Sequence, residues 1–111
     1  MCSGPTLAAI DGLPCVLVLT VVHGDFEWDA DKAATNIAKH GVGFEEAASA
    51  MRDPVSQDFA DDLQPANLVT LAATPFGRIL YIVSTEHDRR IRIISARDAT
   101  RHERRRYEEA R

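Results

Sequence analysis

The chain has 111 residues, of which 45 % are hydrophobic and 27 % charged. This composition is typical of a single soluble globular domain and excludes a disordered chain. The net charge of −4 is divided unevenly: residues 1–77 have three basic and eleven acidic side chains, and residues 78–111 have ten arginines and six carboxylates. Arginine suits phosphate recognition because its planar guanidinium makes two-point contacts, but a solvated helix with intramolecular ion pairs has the same composition.

Residues 1–24 lack the periodicity of the rest of the chain. Cys2 and Cys15 lie in this segment, and a disulfide between them would close only a short loop, so we expect free thiols and a cytoplasmic protein. The apolar run Val16–Val22 is too short to span a membrane, and no basic residue precedes it as in a secretory signal. It is either an extra edge strand or an extension upstream of the true translation start. We therefore divide the chain into an N-terminal extension, 1–24, and a main domain, 25–111.

The main domain begins with a helix that has clear signals at both ends. Asp29 is a favourable N-cap, and Asp31 places negative charge in the first turn. Lys39 and His40 are cations in the last turn, and Gly41 suits the left-handed position that ends a helix. The predicted apolar stripe of this helix consists of Ala33, Ala34 and Ile37. A second helix is predicted at Phe44–Arg52, ended by Asp53-Pro54.

Strands follow the second helix. Residues 55–67 predict one short strand and a loop, and longer strands are predicted at Leu68–Ala73, Arg78–Thr85 and Arg90–Ala96. The turns between them are Thr74–Gly77, with proline and glycine at type I positions, and Glu86–Arg89. A final helix begins at Thr100, which forms a capping box with Glu103. The order β–α–α–β–β–β–β–α predicts an α+β fold, with a small antiparallel sheet, two N-terminal helices and one C-terminal helix.

The residue types available for chemistry are mainly arginine and lysine. The four histidines have no metal-ligand spacing, and the chain has no glycine-rich phosphate loop, so we predict neither a metal nor a cofactor. Positioned cations stabilise a phosphate transition state, in which negative charge is spread over several oxygens.

A four-residue turn at Glu86–Arg89 would place Arg78 opposite Arg97 in the sheet. Two like charges in that position destabilise a sheet unless an anion or a carboxylate lies between them, so this pair is a candidate anion site. Alternatively, both side chains extend into solvent. Arg92 falls on the other face under strict alternation, unless a bulge reverses it.

Lys39 and His40 are the second group of candidates. They suit a cationic helix end, and histidine can also transfer protons near neutral pH. Phe26 and Trp28 could stack on nucleotide bases, although aromatic residues in a small domain are usually part of the core.

Several motifs together resemble the BrnT family over residues 26–109. They are Phe26-Glu27-Trp28-Asp29, Lys39-His40-Gly41-Val42, Asp53-Pro54, Gly77-Arg78, Arg92-Ile93-Ile94-Ser95-Ala96-Arg97 and Arg106-Tyr107-Glu108. The resemblance implies a RelE-like fold, the toxin of a type II toxin–antitoxin system and toxicity through RNA cleavage. It also implies a cognate antitoxin of the BrnA type, whose ribbon-helix-helix domain binds operator DNA. By position, Arg78, Arg92 and Arg97 are the first candidates for function, followed by Lys39 and His40.

Our leading hypothesis is a metal-independent endoribonuclease that inhibits translation. In it the ribose 2′-hydroxyl attacks the adjacent phosphate, arginines stabilise the charge, and a lysine or histidine assists proton transfer. The partners are then RNA and the antitoxin, with DNA contacted only through the antitoxin complex and no membrane involved. The alternative is a catalytically inactive module that binds an antitoxin and takes part in regulating its operon.

Overall fold

The computed structural model describes residues 7–9, 15–17 and 19–110, the first two ranges as backbone only. Its elements are β1 (Leu7–Ala9), β2 (Cys15–Leu17), β3 (Thr20–His23), β4 (Phe26–Asp29), α1 (Ala30–His40), α2 (Phe44–Ala50), β5 (Gln57–Ala60), β6 (Leu68–Ala73), β7 (Ile79–His87), β8 (Arg90–Asp98) and α3 (Arg101–Ala110). From β4 onward, the order of strands and helices is the predicted one. The α+β class is confirmed.

Among the described residues, the main sheet has six strands in the order β3-β4-β8-β7-β6-β5, while β1 and β2 pair with each other in a separate sheet. The predicted small antiparallel sheet differs in one detail, because β4 pairs with β8 in parallel through Phe26–Ile91 and Glu27–Arg92. Turn signals reveal the pairing of strands that are neighbours in the chain. They carry no information about β4 and β8, which α1, α2 and three strands separate.

The apolar run Val16–Val22 contributes to β2 and β3, and residue 18 lies outside the described part of the chain. β3 pairs with β4 along its whole length and forms one edge of the main sheet, in agreement with the edge-strand alternative. The thiol prediction concerns Cys2, which lies outside the described residues, and Cys15, of which only the backbone is described. The boundary at residue 24 stays a prediction.

The predicted ends of α1 are confirmed. A carboxylate oxygen of Asp29 accepts hydrogen bonds from the amides of Asp31 and Lys32, and Gly41 has a φ of 69° and donates its amide hydrogen to the carbonyl of Ile37. The predicted apolar stripe is wrong, because Ala34 and Ile37 are exposed and the buried residue of α1 is Asn36.

Asn36 is buried because it completes the hydrogen bonding of β8. Its side-chain oxygen accepts from the Ala96 amide at 3.1 Å, and its side-chain nitrogen donates to the Ala96 carbonyl at 2.7 Å and to the Val42 carbonyl at 2.9 Å. The pairing of β4 with β8 involves only Ile91 and Arg92 of β8. The Asn36 amide therefore takes the place of a neighbouring strand farther along β8.

We call the side of the sheet that packs against α1 and α2 the covered face. Along β7, the covered face carries the buried residues Leu80, Ile82 and Ser84, whereas Tyr81, Val83 and Thr85 on the other side are half-buried. The core of the covered face contains Phe26, Trp28, Val42, Phe44, Ala47, Ala48, Ala50, Ala72, Leu80, Ile82, Ile93 and Ala96. Phe26 and Trp28 are thus core residues, as the packing alternative predicts.

The other side of the sheet, which carries Tyr81, Val83 and Thr85, is the open face, and α3 packs on one end of it. The predicted capping box is confirmed, since the Glu103 amide donates to the Thr100 hydroxyl and the Thr100 amide donates to the Glu103 carboxylate. Tyr107 is the buried residue of α3, and it packs with Leu71, Ile79 and Ala99. Its hydroxyl donates to the Asp53 carboxylate, which joins α3 to the segment after α2.

Candidate active site

The hairpin of β7 and β8 is tighter than predicted. The last pair is His87 with Arg90, and the turn consists of Asp88 and Arg89, with φ values of 48° and 68°. Two residues with positive φ form the type I′ turn of two-residue hairpins, which usually contains glycine. The sequence Asp-Arg lacks that signal, so the predicted four-residue turn at Glu86–Arg89 is wrong.

A β-bulge in β8 changes the faces of the arginines. Val83 pairs with Ser95 and Ser84 pairs with Ile93, so Ile94 is an extra residue in β8. Arg97 pairs with Tyr81, and Arg92 pairs with Thr85. Tyr81 and Thr85 are four residues apart in one strand and share a face. The bulge therefore brings Arg92 and Arg97 to the open face together.

The predicted pairing of Arg78 with Arg97 is wrong. Tyr81 faces Arg97, while Arg78 precedes β7 and reaches the covered face. There its guanidinium donates to Asp98 at 2.6 and 3.1 Å and to Glu46 of α2 at 3.0 Å. The hydrogen bond with Arg78 lowers the pKa of the Asp98 carboxyl. Since the two arginines lie on opposite sides of the sheet, they cannot hold one anion between them.

Lys39 and His40 are exposed at the end of α1. They border a shallow depression together with Ile94 and Ser95 of β8. Arg78 donates to the carbonyl of Gly41, the residue after His40, at 3.3 Å. The candidates thus divide into two groups: Arg78 lies near the end of α1 that carries Lys39 and His40, and Arg92 and Arg97 lie on the open face.

Arg97 is held by α3. Its two terminal nitrogens donate to the two oxygens of Glu103, at 2.8 and 3.0 Å. The hydrogen bond with Arg97 lowers the pKa of the Glu103 carboxyl. The guanidinium carbon lies 3.9 Å from the centre of the Tyr81 ring, a cation–π contact. Its position is therefore fixed by a carboxylate on one side and an aromatic ring on the other.

Arg92 belongs to a cluster that also contains Glu27 and His87, two residues absent from our sequence-based candidates. One oxygen of Glu27 accepts a hydrogen bond from Arg92 at 2.5 Å and lies 3.1 Å from Nδ1 of His87. Glu27 is only 3 % exposed, whereas the His87 side chain is 54 % exposed. The cluster thus has a buried carboxylate at its base and a histidine at its surface.

The sequence contains a partial signal for this cluster. Glu27 stands between the core residues Phe26 and Trp28, and alternation in a strand places it on the opposite face from both. We predicted a turn at His87, which hid the position of this residue at the end of β7. Glu27 meets Arg92 because β4 pairs with β8 in parallel. These two strands are far apart in the sequence, so no local pattern predicts the contact.

A comparison with family models decides the identity. Residues 28–103 match the model described as the ribonuclease toxin BrnT of type II toxin–antitoxin systems. The chain belongs to the BrnT family. It is thus the ribonuclease toxin of a type II toxin–antitoxin system, and the family predicted from the motifs is confirmed.

The structural comparison agrees with the BrnT fold. The chain is similar to the crystal structure of the Brucella abortus ribonuclease toxin BrnT, with a TM-score of 0.55 and 23 % sequence identity over 67 % of this chain and 94 % of that one. No curated protein sequence matched. The region that matches the BrnT family model includes His87, Arg92 and Arg97 and begins one residue after Glu27.

Two further observations concern metals and membranes. In the described part of the chain, no three or more His, Cys, Asp or Glu side chains form a group that could hold a metal ion. None of the described helices is long and apolar enough to cross a membrane.

Proposed function

We propose that this BrnT-family toxin cleaves RNA without a metal ion at the cluster of Glu27, His87 and Arg92 on the open face. The observation that carries the proposal is the shared contact of one Glu27 oxygen with His87 and Arg92. A buried carboxylate that binds Nδ1 of a histidine orients the ring and favours the tautomer in which Nε2 accepts a proton. An adjacent arginine supplies positive charge for the phosphate.

The proposed reaction is a transfer within the RNA backbone. Nε2 of His87 takes the proton of a ribose 2′-hydroxyl, and the 2′-oxygen forms a bond to the adjacent phosphorus. The bond from phosphorus to the 5′-oxygen breaks, and that oxygen takes a proton from water. The hydroxide left behind receives the proton held by His87, which returns the imidazole to its neutral form. The products are a 2′,3′-cyclic phosphate and a 5′-hydroxyl. The contact with Glu27 uses one of the five N–H donors of Arg92, so other donors can bind phosphate oxygens.

The partners follow from membership of the family. The family description implies an RNA substrate and a cognate antitoxin. We propose that the toxin acts in the cytoplasm and that RNA cleavage lowers translation. We propose an antitoxin of the BrnA type with a ribbon-helix-helix domain, and contact with operator DNA only through the toxin–antitoxin complex. A neighbouring reading frame that encodes such a protein would support this part of the proposal.

The alternative location for RNA cleavage is the end of α1, near Arg78, Lys39 and His40. Arg78 is already bound to two carboxylates and a carbonyl, and it lies across the sheet from Arg92. We therefore assign Arg78 to the support of the fold, and propose that the end of α1 is not where the bond is cleaved.

The test compares arginine-to-alanine substitutions on the two faces. Purified toxin, Arg92→Ala and Arg78→Ala are incubated with RNA in a chelator, and initial rates of cleavage are measured with thermal melting as the control for folding. Loss of one positioned donor to a transition-state oxyanion lowers a rate by about 100- to 1,000-fold. We expect this loss in Arg92→Ala, and a rate near that of the unmodified chain in Arg78→Ala.

His87→Ala tests the proton transfer. General base catalysis contributes about 10²–10⁴-fold, so the rate should fall and its rise with pH on the acid side should flatten. Full activity of folded Arg92→Ala and His87→Ala would contradict the proposed site. Loss of activity in a folded Arg78→Ala or His40→Ala variant would move the site to the end of α1.

A further inference from the structure

A second feature of the open face is a groove of about 430 Å³ between α3 and the strands β5, β6 and β7. We call it the arginine–aromatic groove and define it by Phe59, Val69, Leu71, Tyr81, His102 and Arg106. Val69 and Leu71 are buried residues of its floor, while Phe59 and Tyr81 are half-buried and present part of their rings. The groove is thus apolar at its base and charged at its rim.

Two arginines stack on the two aromatic rings. The guanidinium carbon of Arg106 lies 3.8 Å from the centre of the Phe59 ring, and that of Arg97 lies 3.9 Å from the centre of the Tyr81 ring. Glu103 binds both terminal nitrogens of Arg97 and keeps its plane in position. The groove therefore offers the Arg106 plane beside two aromatic rings, and the fixed Arg97 plane lies next to it on the Tyr81 ring.

These surfaces suit an unpaired nucleobase. Proteins that bind single-stranded RNA stack the bases on aromatic rings and on arginine planes and bind the base edges with polar side chains. His102 and Glu103 lie at the rim, where they can form hydrogen bonds with a base edge. A phosphate fits less well, because both terminal nitrogens of Arg97 donate to Glu103 and one also donates to the Asp98 carbonyl, and because the carboxylate of Asp62 also lines the groove.

The groove lies on the same face as the cluster of Glu27, His87 and Arg92. Tyr81 and Thr85 are the partners of Arg97 and Arg92, and four residues of extended strand span about 13 Å. A short single strand can cover both places. We propose, building on the proposed cleavage site, that the arginine–aromatic groove binds one unpaired base of the RNA substrate near the scissile phosphate.

The test uses short single-stranded RNA with 2′-O-methyl groups, which cannot be cleaved by 2′-hydroxyl attack. The fluorescent base 2-aminopurine is placed at successive positions, and its quenching reports stacking. With the full-length toxin we expect strong quenching at one position. Stacking of one base contributes about 5- to 150-fold to affinity, so Tyr81→Leu and Phe59→Leu should weaken binding within this range and abolish the quenching.

The control variants separate stacking from damage to the fold. Tyr81→Phe keeps the ring and should bind as the unmodified chain does. Phe76→Leu removes a ring that is 96 % exposed in the turn between β6 and β7, and it should change nothing. If Tyr81→Leu melts early, an abasic residue in the RNA gives the same information, because it should weaken binding to the unmodified protein by a similar factor.

The outcomes distinguish this groove from the proposed cleavage site. His87→Ala should lose cleavage and keep the quenching. Absence of quenching at every position, or normal binding by folded Tyr81→Leu, would overturn the groove assignment. So would a Tyr81→Leu variant that loses the antitoxin while its RNA binding is unchanged, since the groove would then be a protein interface. If His87→Ala still cleaves while Tyr81→Leu loses binding, the groove stands and the cleavage site is elsewhere.

Discussion

The covered and open faces of the sheet each pair an arginine with a carboxylate, but the two pairs have different surroundings. On the covered face, Arg78 binds Asp98 of β8 and Glu46 of α2, and the contact with Glu46 joins the start of β7 to the helical layer. On the open face, Glu27 holds Arg92 and also contacts His87, whose side chain is half exposed. In the first case the arginine connects the sheet to a helix. In the second it supports a titratable group that can meet a substrate.

This difference shows that the residue type of an arginine in a family motif does not reveal its surroundings in the fold. Arg78 and Arg92 both have carboxylate partners. They differ because Arg78 lies on the covered face next to α2 and Arg92 lies on the open face next to Glu27 and His87. Substitutions of matched residues on the two faces test this difference.

The largest effect on the cleavage rate should come from substitution of Glu27. Glu27→Gln keeps the shape of the side chain but weakens its hold on the His87 ring. We therefore expect cleavage to fall by about 10²–10⁴-fold, the range of the proton transfer that we propose it supports. Asp98→Asn on the covered face is the matched control and should cleave RNA at nearly the normal rate. Single-turnover rates with saturating RNA measure both. Equal rates in the two variants would remove the distinction between the faces.

The next largest effect concerns stability and the edge of β8. Asn36→Ala leaves the buried amide and carbonyl of Ala96 without their side-chain partner. An unsatisfied buried polar group costs about 1–3 kcal/mol, so the free energy of unfolding in urea should fall by at least that amount. The neighbouring exposed residue gives the control, Thr35→Ala, which should change stability little. A small effect of Asn36→Ala would mean that water replaces the amide.

Removal of residues 1–21 should have a smaller effect. β3 is an edge strand, and Val21, Val22 and His23 are exposed. We expect the shortened chain to fold and to cleave RNA, with a melting temperature lower by about 4–8 °C for each kcal/mol lost. Differential scanning calorimetry and a cleavage assay test this. Aggregation, or loss of a cooperative transition, would show that β3 is required to cover β4.

The smallest effect should come from Arg78→Ala. The side chains of Arg78 and Asp98 are 33 % and 52 % exposed, so solvent screening limits the pair to about 0.2–1 kcal/mol. The pKa of Asp98 is lowered in the folded state. The stabilisation is therefore present above the unfolded-state pKa of about 3.9 and is lost as the pH falls through the lower folded-state value. Urea unfolding of both proteins at neutral and acid pH should show the difference shrink; a constant difference would contradict this explanation.

The elements of this protein were largely predictable because their signals are local. The residues that cap the helices form hydrogen bonds with groups only a few positions away, so they mark the helix ends independently of how the helices pack. They are Asp29, Gly41, Thr100 and Glu103. The turn at Thr74–Gly77 is similar, since the Gly77 amide donates to the Thr74 carbonyl. The motifs that resemble the BrnT family also lie within continuous stretches of sequence.

The arrangement of the site depended on contacts that no local pattern contains. The parallel pairing of β4 with β8 brings Glu27 to Arg92 across 65 positions of the sequence. The extra residue Ile94 reverses the alternation of β8, so that Arg92 joins Arg97 and both lie across the sheet from Arg78. By itself the sequence determined which segments become helices and strands and which family they belong to. The tertiary structure alone decided which charges meet, because the face of a strand residue changes with each one-residue shift in register.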